Sequence, residues 1–354
     1  MSWKNKRLGD VLTLKRGYDL TEAQRREGDV PVVSSSGVTG WHDAAMVEGP
    51  GVVTGRYGTM GEVFYIESDF WPHNTALYVQ DFKGNDRRFI AYLLKLILRG
   101  AGSDKAAVPG VNRNELHERL VQFPGLDMQR RLVDQIKPID DLIENNRRRI
   151  ALLEESARLL YHEWFVHLRF PEHEHVKVVD GVPEGWGGRV LGDLLTLQRG
   201  FDLPASQRMD GAYPIYAATG IHGYHNKAMA DGPGVVTGRS GSLGSVLYSS
   251  VDFWPLNTTL WVKEFKTVSP EYAYFLFQNL ALEQLNGGAA VPTLNRNDVH
   301  RIAVLLPPNT LMDEFTGVVL VQLQQIDRLS RFNEKLREAR DLLLPRLMSG
   351  EIQV

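Results

Sequence analysis

Arginine, asparagine, histidine and hydroxyl side chains are concentrated in the glycine- and proline-rich loops of this chain. Arginine can bind guanine through two hydrogen bonds, and asparagine can bind adenine in the same way. Glycines in a loop allow its backbone to approach phosphate groups. These residue types therefore predict contacts with the phosphates and base edges of a nucleic acid.

The candidate contact residues form two sets, one in each half of the chain. The first set is Arg16, Arg25, Ser35, Thr39, His42, Thr54, Arg56, Tyr57, His73, Asn74, Asn112 and Arg113. The second set is Arg199, Arg208, Thr219, His222, Thr237, Arg239, Ser240, Asn257, Asn295 and Arg296. Arg56 and Arg239, each in a glycine-flanked loop, are the strongest candidates for a direct contact. The alternative for several of these loops is that their glycines and asparagines only form turns.

An internal repeat relates the two sets, because residues 1–171 match residues 184–354 with an offset of 183 positions and no gap. For example, the segment Pro-Gly-Val-Val-Thr-Gly-Arg occurs at 50–56 and again at 233–239. Two similar domains on one chain can form a pseudo-twofold arrangement. Such an arrangement suits a ligand that has a twofold axis itself, and duplex DNA is the commonest one.

The two copies differ at loop positions whose surroundings are alike. Thr39 corresponds to His222, Tyr57 to Ser240, and His73 to Leu256. This pattern predicts one scaffold that recognises two related but unequal sequences. Drift of surface loops would produce the same pattern.

Composition limits the possible functions. A net charge of −3 argues against a simple nucleic-acid-binding domain, unless the chain has a local basic face or shares its ligand with basic partners. The absence of cysteine excludes disulfides, thiolate zinc sites and cysteine nucleophiles. The polar N-terminal residues and the lack of a run of about 18 apolar residues predict no signal peptide, no membrane contact and a cytoplasmic location.

The sequence lacks the motifs of the common catalytic sites. It contains no phosphate-binding G-x-x-x-x-G-K-[ST] loop, no H-E-x-x-H and no G-x-S-x-G, and no G-x-G-x-x-G follows a predicted strand. We therefore predict no catalytic residue, no cofactor bound by this chain and no metal site. A hidden pair of carboxylates is the remaining catalytic alternative.

Each repeat begins with a segment of mixed α and β character, at residues 8–124 and 191–307. Short β-branched and aromatic runs predict strands at 30–33, 51–53, 62–66 and 76–79. The apolar content of residues 89–98, and of the copy at 272–282, predicts a helix. Asn112 or Asn114 is expected to cap a further short helix. These features predict a compact α+β domain in each repeat.

The last segment of each repeat has a helical pattern, in which mostly apolar residues recur at alternating spacings of three and four. The first series is Ile136, Ile139, Ile143, Asn146, Ile150, Leu153, Ala157, Leu160 and Trp164. The second is Val319, Gln322, Ile326, Leu329, Asn333, Leu336, Arg340, Leu343 and Leu347. A helix over residues 139–168 would be about 45 Å long. We expect Pro138 to end or kink the helical stretch that begins near Met128.

Two matched heptad helices in one chain predict that the helices pair with each other. The polar members of the series, such as Asn146 and Asn333, are expected to fix the register of the pair. The alternative is that each helix packs only on its own globular domain. A helix of about 45 Å spans about 13 base pairs, so the pair could hold two DNA-reading domains about one helical turn apart.

This arrangement resembles the specificity (S) subunits of type I restriction–modification systems, and the resemblance covers essentially the whole chain. It includes Leu-Gly-Asp at 8–10 and 191–193, Thr-Gly-Arg-x-Gly at 54–58 and 237–241, and Val-Pro-x-x-Asn-Arg at 108–113 and 291–296. The long helical segment from Met128 to Phe165 is also typical of the family. Each motif is weak alone, but their doubled order is specific.

The resemblance implies an α+β fold with two pseudo-twofold-related target-recognition domains joined by two long antiparallel coiled-coil helices. The implied boundaries are 1–126 for the first recognition domain, 127–170 for the first spacer helix, 171–183 for a linker, 184–309 for the second recognition domain, and 310–354 for the second spacer helix. The likeness of the two repeats implies related half-sites in inverted orientation.

The resemblance also implies partners. Double-stranded DNA would be bound together with two modification (methyltransferase) subunits that carry S-adenosylmethionine and methylate adenine, and restriction subunits can join. The chain itself would be non-catalytic. Two other functions remain open on the sequence: a protein-interaction scaffold that binds no DNA, and a DNA-processing enzyme with a cryptic site.

Overall fold

The structure is a computed structural model, and it describes residues 3–56, 62–99, 112–285 and 293–352. The chain divides into two compact units. Unit 1 contains Met1–Asn145 and Asn333–Val354, and unit 2 contains Asn146–Phe332. Each unit therefore holds the α+β domain of one repeat and a part of each of the two long helices.

The elements of the first repeat agree with the sequence pattern. The strands are β1 (Lys4–Arg7), β2 (Thr13–Arg16), β3 (Val30–Ser34), β4 (Gly37–His42), β5 (Gly51–Gly55), β6 (Val63–Ile66), β7 (Trp71–Pro72), β8 (Ala76–Asp81) and β9 (Leu120–Phe123). The helices are α1 (Leu8–Val11), α2 (Arg87–Arg99), α3 (Arg113–Glu118) and α4 (Leu126–Tyr161). The predicted strands and the helix at 89–98 are confirmed within two residues at each end.

The first α+β domain contains a helix-covered sheet, a smaller sheet and the antiparallel pair of β1 and β9. The strands β2, β8, β5 and β6 form the larger sheet in that order, and all its pairs are antiparallel. The strands β4, β3 and β7 form the smaller sheet, in which β7 is parallel to β3. Apolar side chains of α2 pack on the larger sheet, and every residue of the central strand β5 is buried.

The second repeat has the same topology. Its strands are β12 (Gly187–Val190), β13 (Leu195–Arg199), β14 (Tyr213–Ala217), β15 (Gly220–His225), β16 (Gly234–Gly238), β17 (Val246–Ser249), β18 (Trp254–Pro255), β19 (Thr259–Phe265) and β20 (Ala303–Leu306), after a hairpin of β10 (Val178–Val179) and β11 (Val182–Pro183). Its helices are α5 (Leu191–Leu194), α6 (Pro270–Gln278), α7 (Arg296–His300) and α8 (Asn309–Met348). The helix expected at 272–282 ends earlier, at Gln278, and the linker expected at 171–183 contains the β10–β11 hairpin.

Pro138, which was expected to end or kink the helix, does not end it, because α4 continues through this residue from Leu126 to Tyr161. Proline removes only one backbone donor from the helix. Ile136 and Ile143, on either side, are buried and pack in the core of unit 1 or against α8. The first long helix is nevertheless shorter than the predicted 127–170, since a π-helical turn at His162–Val166 follows α4.

The two heptad series form a buried stripe on each long helix. Every member of both series is buried or half-buried, whereas most residues between them are exposed. In unit 1, the Asn333 amide donates to the Ile143 carbonyl (3.3 Å) and Arg340 Nη1 donates to Asp140 (2.8 Å). In unit 2, Gln322 donates to the Ser156 hydroxyl (3.2 Å). Along the contacts in each unit, the residue numbers of α8 fall as those of α4 rise, so the two helices pair antiparallel within each unit.

In unit 1 the contact between helices and domain combines an apolar core with a polar network. Asp140 on α4 accepts hydrogen bonds from the Tyr92 hydroxyl of α2 (2.7 Å) and from Arg340 of α8 (2.8 Å). Arg340 also pairs with Asp341 (2.9 Å), and its side chain is only 13% exposed. Burial raises the pKa of Tyr92, and the adjacent Asp140 adds to this shift. The three groups therefore act as one buried hydrogen-bonded network.

In unit 2 the same contact is aromatic. Tyr161 on α4 lies against Tyr272 and Phe275 of α6 and against Phe315 of α8, with ring centroids 5.7 to 6.2 Å apart. Burial raises the pKa of Tyr161 well above its ordinary value. Within the described residues, no helix of either unit is long and apolar enough to cross a membrane.

We expect Arg340→Ala to lower the free energy of unfolding by about 2 kcal/mol, because Asp140 would keep its buried position and lose a charged partner. Chemical denaturation of the full chain measures this loss. Arg331→Ala is the matched control on the same helix: its pair with Asp327 (3.1 Å) is exposed, and it should change stability by about 0.5 kcal/mol or less. Equal effects of the two substitutions would contradict a stabilising role for the buried network.

Candidate nucleic-acid interface

In unit 1, polar side chains lie close together where the strands of the larger sheet end. The end of β2, the end of β5 and the start of β8 meet there, because Arg16 pairs with Leu77 and Gly55 pairs with Ala76. The Arg56 amide donates to the Thr75 carbonyl (3.1 Å). We call this set the polar edge. Its members in the first repeat are Arg16, Asp19, Ser35, Arg56, His73, Asn74 and Thr75.

Hydrogen bonds connect the members of this edge. Arg16 Nη2 forms an ion pair with Asp19 (3.0 Å), and Arg16 Nε lies 3.4 Å from the Asn74 carbonyl oxygen. The Asn74 amide also donates to Asp19. The Thr75 hydroxyl lies 3.2 Å from His73 Nδ1 and 3.4 Å from the Ser35 amide, which joins the β3–β4 turn to the same edge.

The second repeat forms an equivalent edge with fewer polar side chains. Asn257 donates to Asp202, as Asn74 does to Asp19. The amides of Arg239 and Ser240 donate to the Thr258 carbonyl (2.8 and 3.2 Å). Arg199, at the end of β13, is exposed. Leu256 and Ala218, which replace His73 and Ser35, are buried apolar residues.

In unit 2 the start of α7 also lies beside this edge, because the Leu294 amide donates to the Arg239 carbonyl (2.8 Å). Asn295 caps α7 by accepting from the Asn297 amide (3.0 Å), and Arg296 is exposed at the first turn. Asn112 caps α3 in the same way and Arg113 is exposed. Of the two asparagines expected to cap this helix, Asn112 is the cap, and its own amide group donates to Glu115 (2.8 Å).

A second group of candidates lies on the β3–β4 and β14–β15 hairpins. Arg25 donates to the Thr39 carbonyl (3.2 Å), and Arg208 donates to the His222 carbonyl (3.0 Å). Both arginines therefore brace the backbone of the hairpin strand. The side chains of Thr39, Thr219 and His222 are exposed, and Thr219 lies 2.7 Å from His222 Nε2.

Three candidates are buried, and two of them form hydrogen bonds with other protein groups. His42 is 3% exposed and accepts the Arg26 amide at Nδ1 (3.1 Å). Thr54 is 1% exposed and donates to the Glu62 carbonyl (2.8 Å). Thr237, its counterpart in β16, is 1% exposed. Direct contact with a ligand is not compatible with this burial. Tyr57 lies outside the described residues.

The sequence interpretation missed two kinds of residue in this region. Asp19 and Asp202 are not among the candidates from the sequence, yet each accepts a hydrogen bond from an asparagine of the polar edge. The repeated Arg-Gly-x-Asp segment, at 16–19 and 199–202, is the signal that could have found them. Trp41 and Tyr224 are aromatic residues that the two hairpins expose, at 56% and 42%.

A half-buried histidine anchors the strand that ends at each edge. His117 Nε2 accepts the amide of Leu14 in β2 (3.0 Å), and His300 Nε2 accepts the amide of Leu197 in β13 (2.9 Å). Burial lowers the pKa of both histidines, and the nearby Arg113 and Lys266, respectively, add to the shift. Both rings therefore stay neutral, with Nε2 as the acceptor, while the protein is folded near neutral pH.

Fold and site together define a tandem-repeat protein: two α+β domains, each with a polar edge at the ends of its strands, and two long heptad helices that pass through both units. The family model described as "Type I restriction modification DNA specificity domain" matches residues 1–155 and 183–341, one match for each repeat. The chain belongs to this family. The resemblance seen in its sequence motifs is thereby confirmed.

Known relatives agree with this assignment. The chain is 23% identical over 283 residues to the type I restriction enzyme MjaIX specificity subunit of Methanocaldococcus jannaschii, covering 71% of this chain and 65% of that protein. It is 22% identical over 339 residues to the type I restriction enzyme HindI specificity subunit of Haemophilus influenzae, covering 71% and 73%. The chain thus spans less than two thirds of the first of these relatives.

A solved structure shares the fold. The crystal structure of the S subunit of a type I restriction–modification system from M. genitalium matches with a TM-score of 0.60 and 16% sequence identity. The match covers 98% of this chain and 96% of that one.

The lowered histidine pKa values predict a pH dependence of stability. A histidine whose folded pKa lies below its ordinary value of 6.5 binds fewer protons when folded, so stability is complete above about pH 6.5 and falls as the pH drops below it. Denaturation midpoints from pH 7.5 to 5 should show this loss, and the His117→Gln/His300→Gln double variant should show less of it. The exposed residue His175 provides the control, since His175→Gln should leave the pH dependence unchanged.

Proposed function

We propose that this chain is the DNA-recognition subunit of a type I restriction–modification complex, that it reads a bipartite target, and that it has no catalytic residues of its own. The observation that carries the proposal is the polar edge, which occurs once in each repeat of a chain matched twice by the specificity-domain model. Each edge presents arginine and asparagine side chains beside backbone amides, and these groups suit guanine, adenine and phosphate.

In this proposal, one repeat reads one half-site and the other repeat reads the second. Arg16, Arg56 and Asn74 supply the base and phosphate contacts of the first edge. Arg199, Arg239, Ser240, Asn257 and Arg296 supply those of the second, and the hairpin side chains of Thr39 and His222 flank them. The shared backbone of the two repeats is the reason to expect related half-sites in inverted orientation.

The partners in this proposal are two modification subunits, which bind S-adenosylmethionine and methylate adenine, and the restriction subunits. A surface on α4 supports partner binding. Leu152, Leu159 and Val166 are seven residues apart, in α4 and in the π-helical turn after it, and they are 69%, 50% and 49% exposed. Apolar residues at one heptad position outside the buried stripe suit a helical partner surface. We assign this surface to a modification subunit.

Arg56→Ala and Arg239→Ala test the assignment of one half-site to each repeat. In the complex reconstituted with its modification subunits, each variant should weaken discrimination at one half-site by about 10-fold and leave the other half-site unchanged. Mapping of methylated adenines, with gel-shift titrations at several salt concentrations, measures both effects. Arg328→Ala on α8 removes the same charge from an exposed position outside the polar edge, and it should leave the preference intact.

The alternatives predict other results. A scaffold without a DNA role would show no dependence of any phenotype on Arg56 or Arg239 and no methyltransferase subunit on co-purification. A DNA-processing enzyme would modify or cleave DNA as the isolated chain. Unrelated half-sites on methylation mapping would contradict the expected inverted, related targets.

The helices are proposed to set the gap between the half-sites. Insertion of one heptad after Asn145 and one after Phe332, where both helices pass from one unit to the other, adds about 10 Å of helix. The unread gap in the methylated sequence should grow by about three base pairs. Insertion into only one helix breaks the pairing and serves as the control. If the double-insertion protein folds and the gap between the half-sites is unchanged, the helices do not set that gap.

A further inference from the structure

Each polar edge contains an acidic residue that base or phosphate contact alone does not explain. The side chain of Asp19 is 71% exposed beside Arg16. A carboxylate on a surface that faces DNA repels phosphates, so its presence weakens binding unless it has another effect. Asp202 occupies the same position in the second repeat. The local geometry shows what that effect is.

The Asp19 carboxylate contacts both side chains that suit base recognition. A single oxygen of Asp19, Oδ1, accepts from Arg16 Nη2 (3.0 Å) and from the Asn74 amide nitrogen. The Asn74 carbonyl lies 3.4 Å from Arg16 Nε and holds the other side of the guanidinium. Arg16 is therefore fixed at two of its nitrogens, Nε and Nη2, by groups of the polar edge.

The backbone keeps these groups in place. A Cβ atom on Gly17 would lie 2.2 Å from the His73 carbonyl oxygen, so the Arg16–Asp19 turn packs directly on the His73–Asn74 loop. Gly200 has the same relation to the Leu256 carbonyl oxygen, also at 2.2 Å. The contact between Asn257 and Asp202 therefore arises from the same close approach of two segments.

We propose that Asp19 and Asp202 are positioning residues that set the base preference of the two half-sites by orienting Asn74, Arg16 and Asn257. This inference rests on the proposed function. An ionised carboxylate only accepts hydrogen bonds, so it turns the amide nitrogen of asparagine toward itself and the amide oxygen away from itself. An amide held in one orientation distinguishes adenine from the other bases, whereas a freely rotating amide does not.

The two repeats differ in how much the acid holds. In the first repeat Asp19 orients an arginine and an asparagine. In the second repeat Asp202 orients Asn257. Among the described residues, Arg199 forms no ion pair with Asp202. Loss of Asp19 is therefore expected to relax the preference at more base positions than loss of Asp202.

The test uses the complex of the full chain with its modification subunits and a target obtained by mapping methylated adenines. For each variant, dissociation constants are measured for the target, for single-base variants of each half-site, and for random duplex. Asp19→Ala and Asp202→Ala are compared with Glu27→Ala, which removes the same charge from an exposed position of the first repeat. Asp19→Ala is also measured in an Asn74→Ala/Arg16→Ala background.

The proposal predicts that Asp19→Ala lowers discrimination in one half-site by about 10-fold and Asp202→Ala lowers it in the other, while binding to random duplex becomes tighter or stays the same. In the Asn74→Ala/Arg16→Ala background, Asp19→Ala should cause no further loss. If Asp19→Ala and Glu27→Ala give the same discrimination as the unmodified chain, Asp19 contributes charge alone and the proposal is overturned. If the unmodified complex shows no sequence preference, the proposed function itself fails and the positioning role fails with it.

Discussion

Burial of apolar side chains from both long helices in each α+β domain is the constraint on which the structure depends. The core of unit 1 includes Ile136 of α4 and Leu347 of α8, and the core of unit 2 includes Ala157 of α4 and Phe315 of α8. Neither repeat can therefore complete its core from its own consecutive residues. The sequence repeats every 183 positions, but the compact unit combines segments from distant parts of the chain.

This arrangement requires the helices to pair in one register, although their heptad patterns are nearly equivalent. The helix–domain contacts of unit 1 and unit 2 differ, and this difference favours one register of the helix pair. Arg340 finds Asp140 and Tyr92 in unit 1, where its charge is paired. The corresponding surface of unit 2 is built from aromatic rings around Tyr161, so an arginine placed there would lose its pairing with Asp140. Burial of an unpaired charge is strongly unfavourable, so an alternative register is destabilised.

The features that the sequence predicted are those with a local signal. The strands, the helix at 89–98, the cap at Asn112 and the heptad stripes follow from periodicity and from residue type. The continuity of α4 through Pro138 was missed, because it depends on tertiary packing that compensates a local cost. The burial of His42, Thr54 and Thr237 was missed for a related reason: a polar residue in a loop-rich segment carries no sequence mark that tells whether its partner is a protein group or a ligand.

The polar edges of the two repeats differ in their side chains without a change of backbone. The His73 and Leu256 amides donate to equivalent carbonyls, of Val33 and Tyr216, both at 2.8 Å. One position carries a polar imidazole and the other a buried leucine, yet the backbone bond is the same. The loop conformation thus depends on main-chain hydrogen bonds and on the close approach at Gly17 and Gly200, not on the side chains presented there. Because the fold does not require these side chains, the two edges can differ in chemistry while both keep the frame that presents them.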